Sequence, residues 1–296
     1  TLPLQYTQSN DALSYRLIFL GEVGTPLETF EGNFLDIENF VDRGYPDYDF
    51  PYPGVMDDVM LDNYMAFLED EANRIKTRSA FEVGASDQFV LKKAPQDYPS
   101  FVVRNIYCNG TIWTGSGENT EYFVPAGADQ NVLSDENLWS AVINVNYGDF
   151  DYHCGGDILG GYGDWRNVET RVGRLIGETD VLNCNHHAYK DAMNADFVSS
   201  TRSQAYVIPV WDCYHPEEAP LARMLDSSES EKMVFAAGMV ESNRMRLLGN
   251  GERIRPEGHI VVRVYEGGSE FQIFVLNDRN TEYDVIYKTD RITSNR

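Results

Sequence analysis

Five histidines occur in the 296 residues, and two of them, His186 and His187, are adjacent. Neighbours on an extended strand or turn point in different directions. One imidazole of such a pair can therefore face a ligand while the other supports it, and a neutral imidazole nitrogen suits zinc well. Asp157 follows Gly155-Gly156, where small residues let a carboxylate stand clear and let other groups come close. A carboxylate in that setting can bridge two metal ions. His215-Pro216 is the third element. Each has a plainer reading: a turn aspartate, one core and one surface histidine, and a residue that starts a helix. Cys154, Cys184 and Cys213 each lie within three residues of this set. They read as soft metal donors, as one disulfide with a spare thiol, or, best by type, as buried inert thiols. His153 can face either way, and His259 opens a tail strand and reads as structural.

The elements that must position these groups follow from periodicity. Residues 140–153 read as two strands joined at Tyr147-Gly148-Asp149, running into a glycine-rich loop over 155–163. Asp164 is the predicted cap of a helix with Trp165, Val168, Val172, Leu175 and Ile176 on one face. An apolar strand over 180–184 delivers the histidine pair, and a helix is expected near 188–200. The strand Ala205–Val210 precedes His215, and a helix from Pro216 turns Leu221, Met224 and Leu225 inward. Loops that follow neighbouring strands of a strand–helix–strand unit meet at one edge of the sheet. That arrangement would gather Asp157, His186, His187 and His215.

Elsewhere, Pro and Gly cluster over 44–54 as a long loop, and Asp57 and Asp58 can cap a helix whose apolar face is Met60, Tyr64, Phe67, Leu68 and Ile75. Strands are expected at Phe89–Leu91, Phe101–Val103 and Gly110–Trp113, and a tail hairpin within 258–278 pairs His259–Val264 with Phe271–Leu276 through Gly267-Gly268. Hairpins followed by strand–helix–strand units make a mixed α/β layered domain.

Lys and Arg total 24 against 47 Asp and Glu, a net charge of −23. Nucleic-acid binders need basic surface to displace counterions, so no nucleic acid is favoured as a partner, nor is an anionic membrane. No apolar run approaches the roughly 18 residues of a membrane span. Neither a GxxxxGK[ST] phosphate loop nor a GxSxG elbow is present. The chain opens on Thr1, as a processed or trimmed product would, and the sequon Asn109-Gly110-Thr111 leans toward an exported protein, with the compartment left open.

Three motifs stand in order: Tyr147-Gly148-Asp149-Phe150 with Gly156-Asp157, Asp180-Val181-Leu182 closing in His186-His187, and Val207-Ile208-Pro209-Val210 before His215-Pro216. Asp42-Arg43-Gly44-Tyr45-Pro46 and Asn105, Asn109-Gly110 and Trp113-Thr114-Gly115 add to them. Together they resemble the metallo-β-lactamase-fold hydrolase superfamily, from about residue 35 to residue 280. The resemblance implies one domain over 1–296, an αββα sandwich of mixed sheets flanked by helices. It implies Asp157 as a metal-bridging carboxylate, His186 in preference to His187 as ligand of a second metal, and His215 beside a small-molecule substrate. Water activated by one or two zinc ions would attack an ester, amide or phosphoester. The family's HxHxDH loop has no counterpart, because residues 15–24 contain no histidine and none precedes His153. The usual opening strands are not apparent either. The expectation is therefore divided between a zinc hydrolase of which this chain is a fragment or rearranged product, its missing half supplied elsewhere, and a catalytically degenerate relative that acts as a binding or structural module. A further option is a single metal held by Asp157, His186, His187 and a cysteine or His215.

Overall fold

In a computed structural model the described residues are 15–18, 37–51, 75–210, 212–226 and 232–295. Strands β1 (Tyr15–Ile18), β2 (Ile37–Asp42) and β3 (Ile75–Ala80) pair in parallel in that order. The central sheet has eight strands: β4 (Phe101–Cys108), β5 (Thr111–Trp113), β6 (Thr120–Tyr122), β7 (Val142–Tyr147), β8 (Phe150–Cys154), β9 (Val181–Asn183), β10 (Ala205–Ile208) and β11 (Met233–Ala236). Their order is β11-β10-β9-β8-β7-β4-β5-β6. The run from β8 to β11 is parallel and the rest is antiparallel, so the sheet is mixed. A third sheet joins β12 (His259–Val264), β13 (Glu270–Leu276), β14 (Val285–Lys288) and β15 (Ile292–Thr293) antiparallel.

Burial on both faces explains why the middle strands read as unbroken apolar runs. On one face, Leu182, Tyr206 and Val234 pack with Ile158, Val172, Phe197, Leu221 and Met224. The helices there are α2 (Val168–Ile176), α3 (Ala195–Thr201) and α4 (Glu218–Leu225), which follow a short α1 (Gln130–Leu133). On the other face, Phe150, Val181, Ala205 and Phe235 meet Phe271, Ile273 and Val275 of β13. Strand β13 alternates between buried and half-buried residues along its length, as a strand with one face on a core must. The outer face of the third sheet leaves Val261 and Val285 exposed. At the β7–β8 turn, Gly148 has φ of +59°, and a Cβ there would lie 1.8 Å from the Gly267 carbonyl oxygen. The Gly267 amide donates to the Tyr147 hydroxyl at 3.0 Å. The hairpin turns of two sheets thus touch, and only glycine fits.

Several element boundaries differ from expectation for local reasons. Asn167, not Asp164, caps α2, its side chain accepting from the Thr170 amide at 3.1 Å; Asp164 instead binds Arg166. The helix expected near 188–200 begins only at Ala195, because Ala188 and Met193 have positive φ and Asn194 makes the cap. Helix α4 starts at Glu218, two residues after Pro216. Phe89 is buried against Phe81 in irregular chain, not in a strand over 89–91. Ile75 opens β3 instead of closing a helix; the rest of that expected helix lies outside the described residues. The tail hairpin is as read, and β14 and β15 extend it.

Phe271 is fully buried, its ring 5.2 Å from that of Phe150. Phe271→Ala is expected to lower the unfolding free energy by about 3–5 kcal/mol in urea titration. A loss well under 1 kcal/mol would contradict the sheet-on-sheet core.

Candidate functional site

Strands β8, β9 and β10 are neighbours and parallel, so the segments leaving their C-terminal ends emerge side by side. The first carries Asp157, the second His186 and His187, the third His215. Backbone bonds tie these segments together: His186 donates to the Gly156 carbonyl at 3.0 Å, Cys184 to Val207 at 2.8 Å and Glu217 to Ala188 at 2.9 Å. All four expected site residues therefore meet at one edge.

Asp157 is buried, and its amide donates to the Ser140 hydroxyl at 3.1 Å. His187 Nε2 lies 3.6 Å from Asp157 Oδ1, and its Nδ1 bonds to the Pro209 carbonyl oxygen. A carbonyl only accepts, so Nδ1 carries a proton, and Nε2 is the ring nitrogen turned toward Asp157. His186 is turned differently. Its Nδ1 is 2.8 Å from Asp191 Oδ1, and its Nε2 is 3.4 Å from Asn137 Nδ2. Burial alone would depress the His186 pKa, but the bond to Asp191 and the charges of Asp157 and Asp191 outweigh it, and the pKa is raised. His215 stacks on His187 with centroids 5.2 Å apart, and Tyr189 meets His215 edge-on at 5.0 Å.

The flanking motifs converge on the same place. The 3₁₀ turn Glu136–Trp139 supplies Asn137 to His186, while Glu136 pairs with Arg43 and Asn109 Nδ2 donates to the Arg43 carbonyl at 2.7 Å. A cleft of about 380 Å³, lined by Arg43, Tyr45, Phe50, Phe81 and Asn109 among others, lies beside these groups.

All four cysteines are free thiols. Burial pushes the Cys108, Cys154 and Cys184 thiols upward. Cys154 accepts from Asn183 Nδ2 at 3.4 Å, and Cys184 Sγ lies 3.4 Å from Met224 Sδ. Cys213 is exposed. Among the described residues, no group of three or more His, Cys, Asp or Glu side chains is arranged to hold a metal ion. The sequence matches no protein-family model and no curated protein.

Asp191, Tyr189, Asn137 and Ser140 were not legible as site residues, since each makes its contact through a turn. Glu169 was legible in principle: it sits between the inward positions Val168 and Val172 of α2, where a charge is unexpected. His153 packs edge-on against Phe197 in the core, and His259 lies against Tyr283.

Two buried titratable groups bracket the site with opposite pH signatures. Burial lowers the His153 pKa from 6.5 to about 4, with Asn185 opposing. Between those values the unfolded chain binds the proton and the native chain does not. This contribution is thus complete above 6.5 and is lost as pH falls toward 4. Burial raises the Glu169 pKa from 4.5 to about 7 against bonds from Asn194, Asn185 and Met193. Its contribution is complete below 4.5 and is lost as pH rises through 7. The slopes oppose, so the acid-side loss is masked in the native sequence. His153→Leu removes that loss itself: its stability relative to wild type should improve by roughly 2 kcal/mol between about pH 7.5 and about pH 5. Urea titrations at both pH values measure this, and a pH-independent difference would count against the burial argument.

Proposed function

We propose that the edge carrying Asp157 and His187 is a zinc-dependent hydrolytic site on an αββα, metallo-β-lactamase-like sandwich. Its substrate is a small-molecule ester, amide or phosphoester. The observation that carries this reading is the His187 geometry. Nδ1–H is held by a backbone carbonyl, as the other ring nitrogen of a metal-ligating histidine commonly is, and Nε2 faces Asp157 Oδ1 at 3.6 Å. Two donors each roughly 2.0–2.2 Å from one ion are separated by about that much. Layering supports the fold reading: helices pack on one face of the central sheet and a second sheet on the other.

In this reading Asp157 and His187 hold the metal, and His186, oriented by Asp191, is the remaining donor of the pair. When bound, zinc supplies an activated water. The chain does the rest. Ser140 fixes the Asp157 backbone, Pro209 fixes the His187 tautomer, and His215 borders the substrate. The chain's net charge of −23 favours cations over anions at its surface as a whole. The second reading is a catalytically degenerate binding module. It is favoured by the lack, among the described residues, of a third donor in place.

Metal analysis after zinc equilibration and desalting tests both. The hydrolase reading expects about one zinc per chain, lost in Asp157→Ala and in His187→Ala, with zinc-dependent cleavage of a reporter ester lost in parallel. Zinc retention without cleavage of ester, amide or phosphoester reporters supports the binding module. A wild-type chain that retains no zinc overturns the metal site.

A further inference from the structure

The loop that carries the histidine pair adopts a backbone that its own residues resist. His186, His187 and Ala188 have φ of 43°, 52° and 57°, and Met193 has φ of 51°. Side chains other than glycine disfavour this left-handed region, and it persists only where the surroundings over-determine it.

Backbone bonds from His186 to Gly156 and from Glu217 to Ala188 hold the middle of the loop, Arg223 holds the Ala192 and Met193 carbonyls, and a single buried carboxylate ties its two ends. Glu169, on α2, is fully buried. Its Oε1 accepts from Asn185 Nδ2 at 2.8 Å and from the Met193 amide at 2.6 Å; its Oε2 accepts from the Asn194 amide at 2.9 Å. Asn185 immediately precedes His186, and Met193 and Asn194 close the loop, so both ends are pinned to one side chain. The segment carrying Asp157 lies on the same group. A Cβ on Gly160 would stand 1.9 Å from Glu169 Oε2, and Asn194 Nδ2 donates to the Gly160 carbonyl at 3.0 Å. Glu169 is therefore the joint between the strand exits that carry the two donors. All three of its partners donate, so both oxygens must accept, which a carboxyl group allows and a carboxamide does not, since its nitrogen only donates.

We propose that Glu169 is the positioning residue of the site. By clamping both ends of the loop over 185–194, it holds the strained backbone that aims His187 Nε2 at Asp157. This rests on the reading of Asp157 and His187 as metal donors, but the clamp itself is testable in the metal-free protein.

The primary readout is the His187 tautomer, from long-range ¹H–¹⁵N NMR of the metal-free chain. The expected result is the Nδ1–H form in wild type and mixed tautomers in Glu169→Gln, with near-UV circular dichroism unchanged. Adding Ala188→Gly, which relieves left-handed strain inside the loop, is expected to restore the Nδ1–H form. A loss of general stability would not be repaired in this specific way. Should Glu169→Gln fail to fold, Asn185→Ala, which removes one of the three bonds, is expected to shift the tautomer in the same direction by less. A folded Glu169→Gln or Asn185→Ala with the wild-type tautomer overturns the proposal. In parallel, the zinc dissociation constant of Glu169→Gln should rise about tenfold or more, as when other groups that orient a metal ligand are lost, with partial recovery in the Ala188→Gly double variant. If wild type binds no zinc while the tautomer shifts as expected, the clamp stands and the metal reading fails. If wild type binds zinc and the tautomer is unmoved, the reverse holds.

Discussion

Everything at the candidate site depends on the parallel register of β8, β9 and β10. Tyr152, His153 and Cys154 pair with Val181, Leu182 and Asn183, which pair in turn with Ala205, Tyr206 and Val207. Because the three strands end level, the segments leaving them are within backbone hydrogen-bonding reach, and Gly156, His186 and Pro209 fall in one row. A slip of one residue would turn every side chain of a strand to the opposite face. It would turn Leu182 toward the third sheet and Val181 toward the helices, mismatching both cores. The apolar packing on both faces, with Leu182 and Tyr206 toward the helices and Val181 and Ala205 toward β13, therefore fixes the site geometry as well as the fold.

Buried polar groups finish what register begins, at both ends of β9. At its start, Asp180 is fully buried. One oxygen accepts from the Asp151 amide at 2.9 Å, and the other accepts from Gln204 Nε2 at 2.8 Å and from the Asn295 amide at 2.9 Å. A residue from β8, one beside β10 and one from the chain's tail are thereby fastened at the entry to β9. At its exit, Glu169 fastens the loop of the histidine pair. A buried carboxylate is costly unless its acceptor sites are filled, and both groups have theirs filled by donors from different segments. Apolar packing alone is tolerant of small displacements; directional bonds to a desolvated carboxylate are not.

This division explains what could be read from the amino acids. The strand–helix alternation from 140 onward, the tail hairpin and the gathering of Asp157, His186, His187 and His215 all rest on periodicity and strand order, which are written locally. The errors fall where a few backbone torsions decide. Residues 188–194 have the composition of a helix start, yet Ala188 and Met193 sit in left-handed backbone and delay α3 to Ala195. Asp164 and Asn167 are both competent caps, and only the tertiary placement of Asn194, whose Nδ2 donates to Asn167 Oδ1 at 3.0 Å, distinguishes them. Phe89 looks like strand because it is buried; here it is buried by irregular chain packing against Phe81. Asp191 was invisible because its partner, His186, is reached through a turn.

The assignment within the histidine pair is the sharpest case. From composition the two imidazoles are equivalent, and the family resemblance prefers His186. In the structure His186 and His187 are both left-handed, so successive side chains diverge, and each finds a different acceptor for Nδ1. For His186 it is Asp191, within its own loop; for His187 it is the Pro209 carbonyl, beyond the end of β10. The first contact is local and would survive a change in strand pairing. The second exists only because β9 and β10 are neighbours ending level. The proton on His187 Nδ1, and with it the direction of Nε2 toward Asp157, is therefore a consequence of topology. Which histidine faces the carboxylate is set by the sheet, and no property of residues 186 and 187 themselves could have decided it.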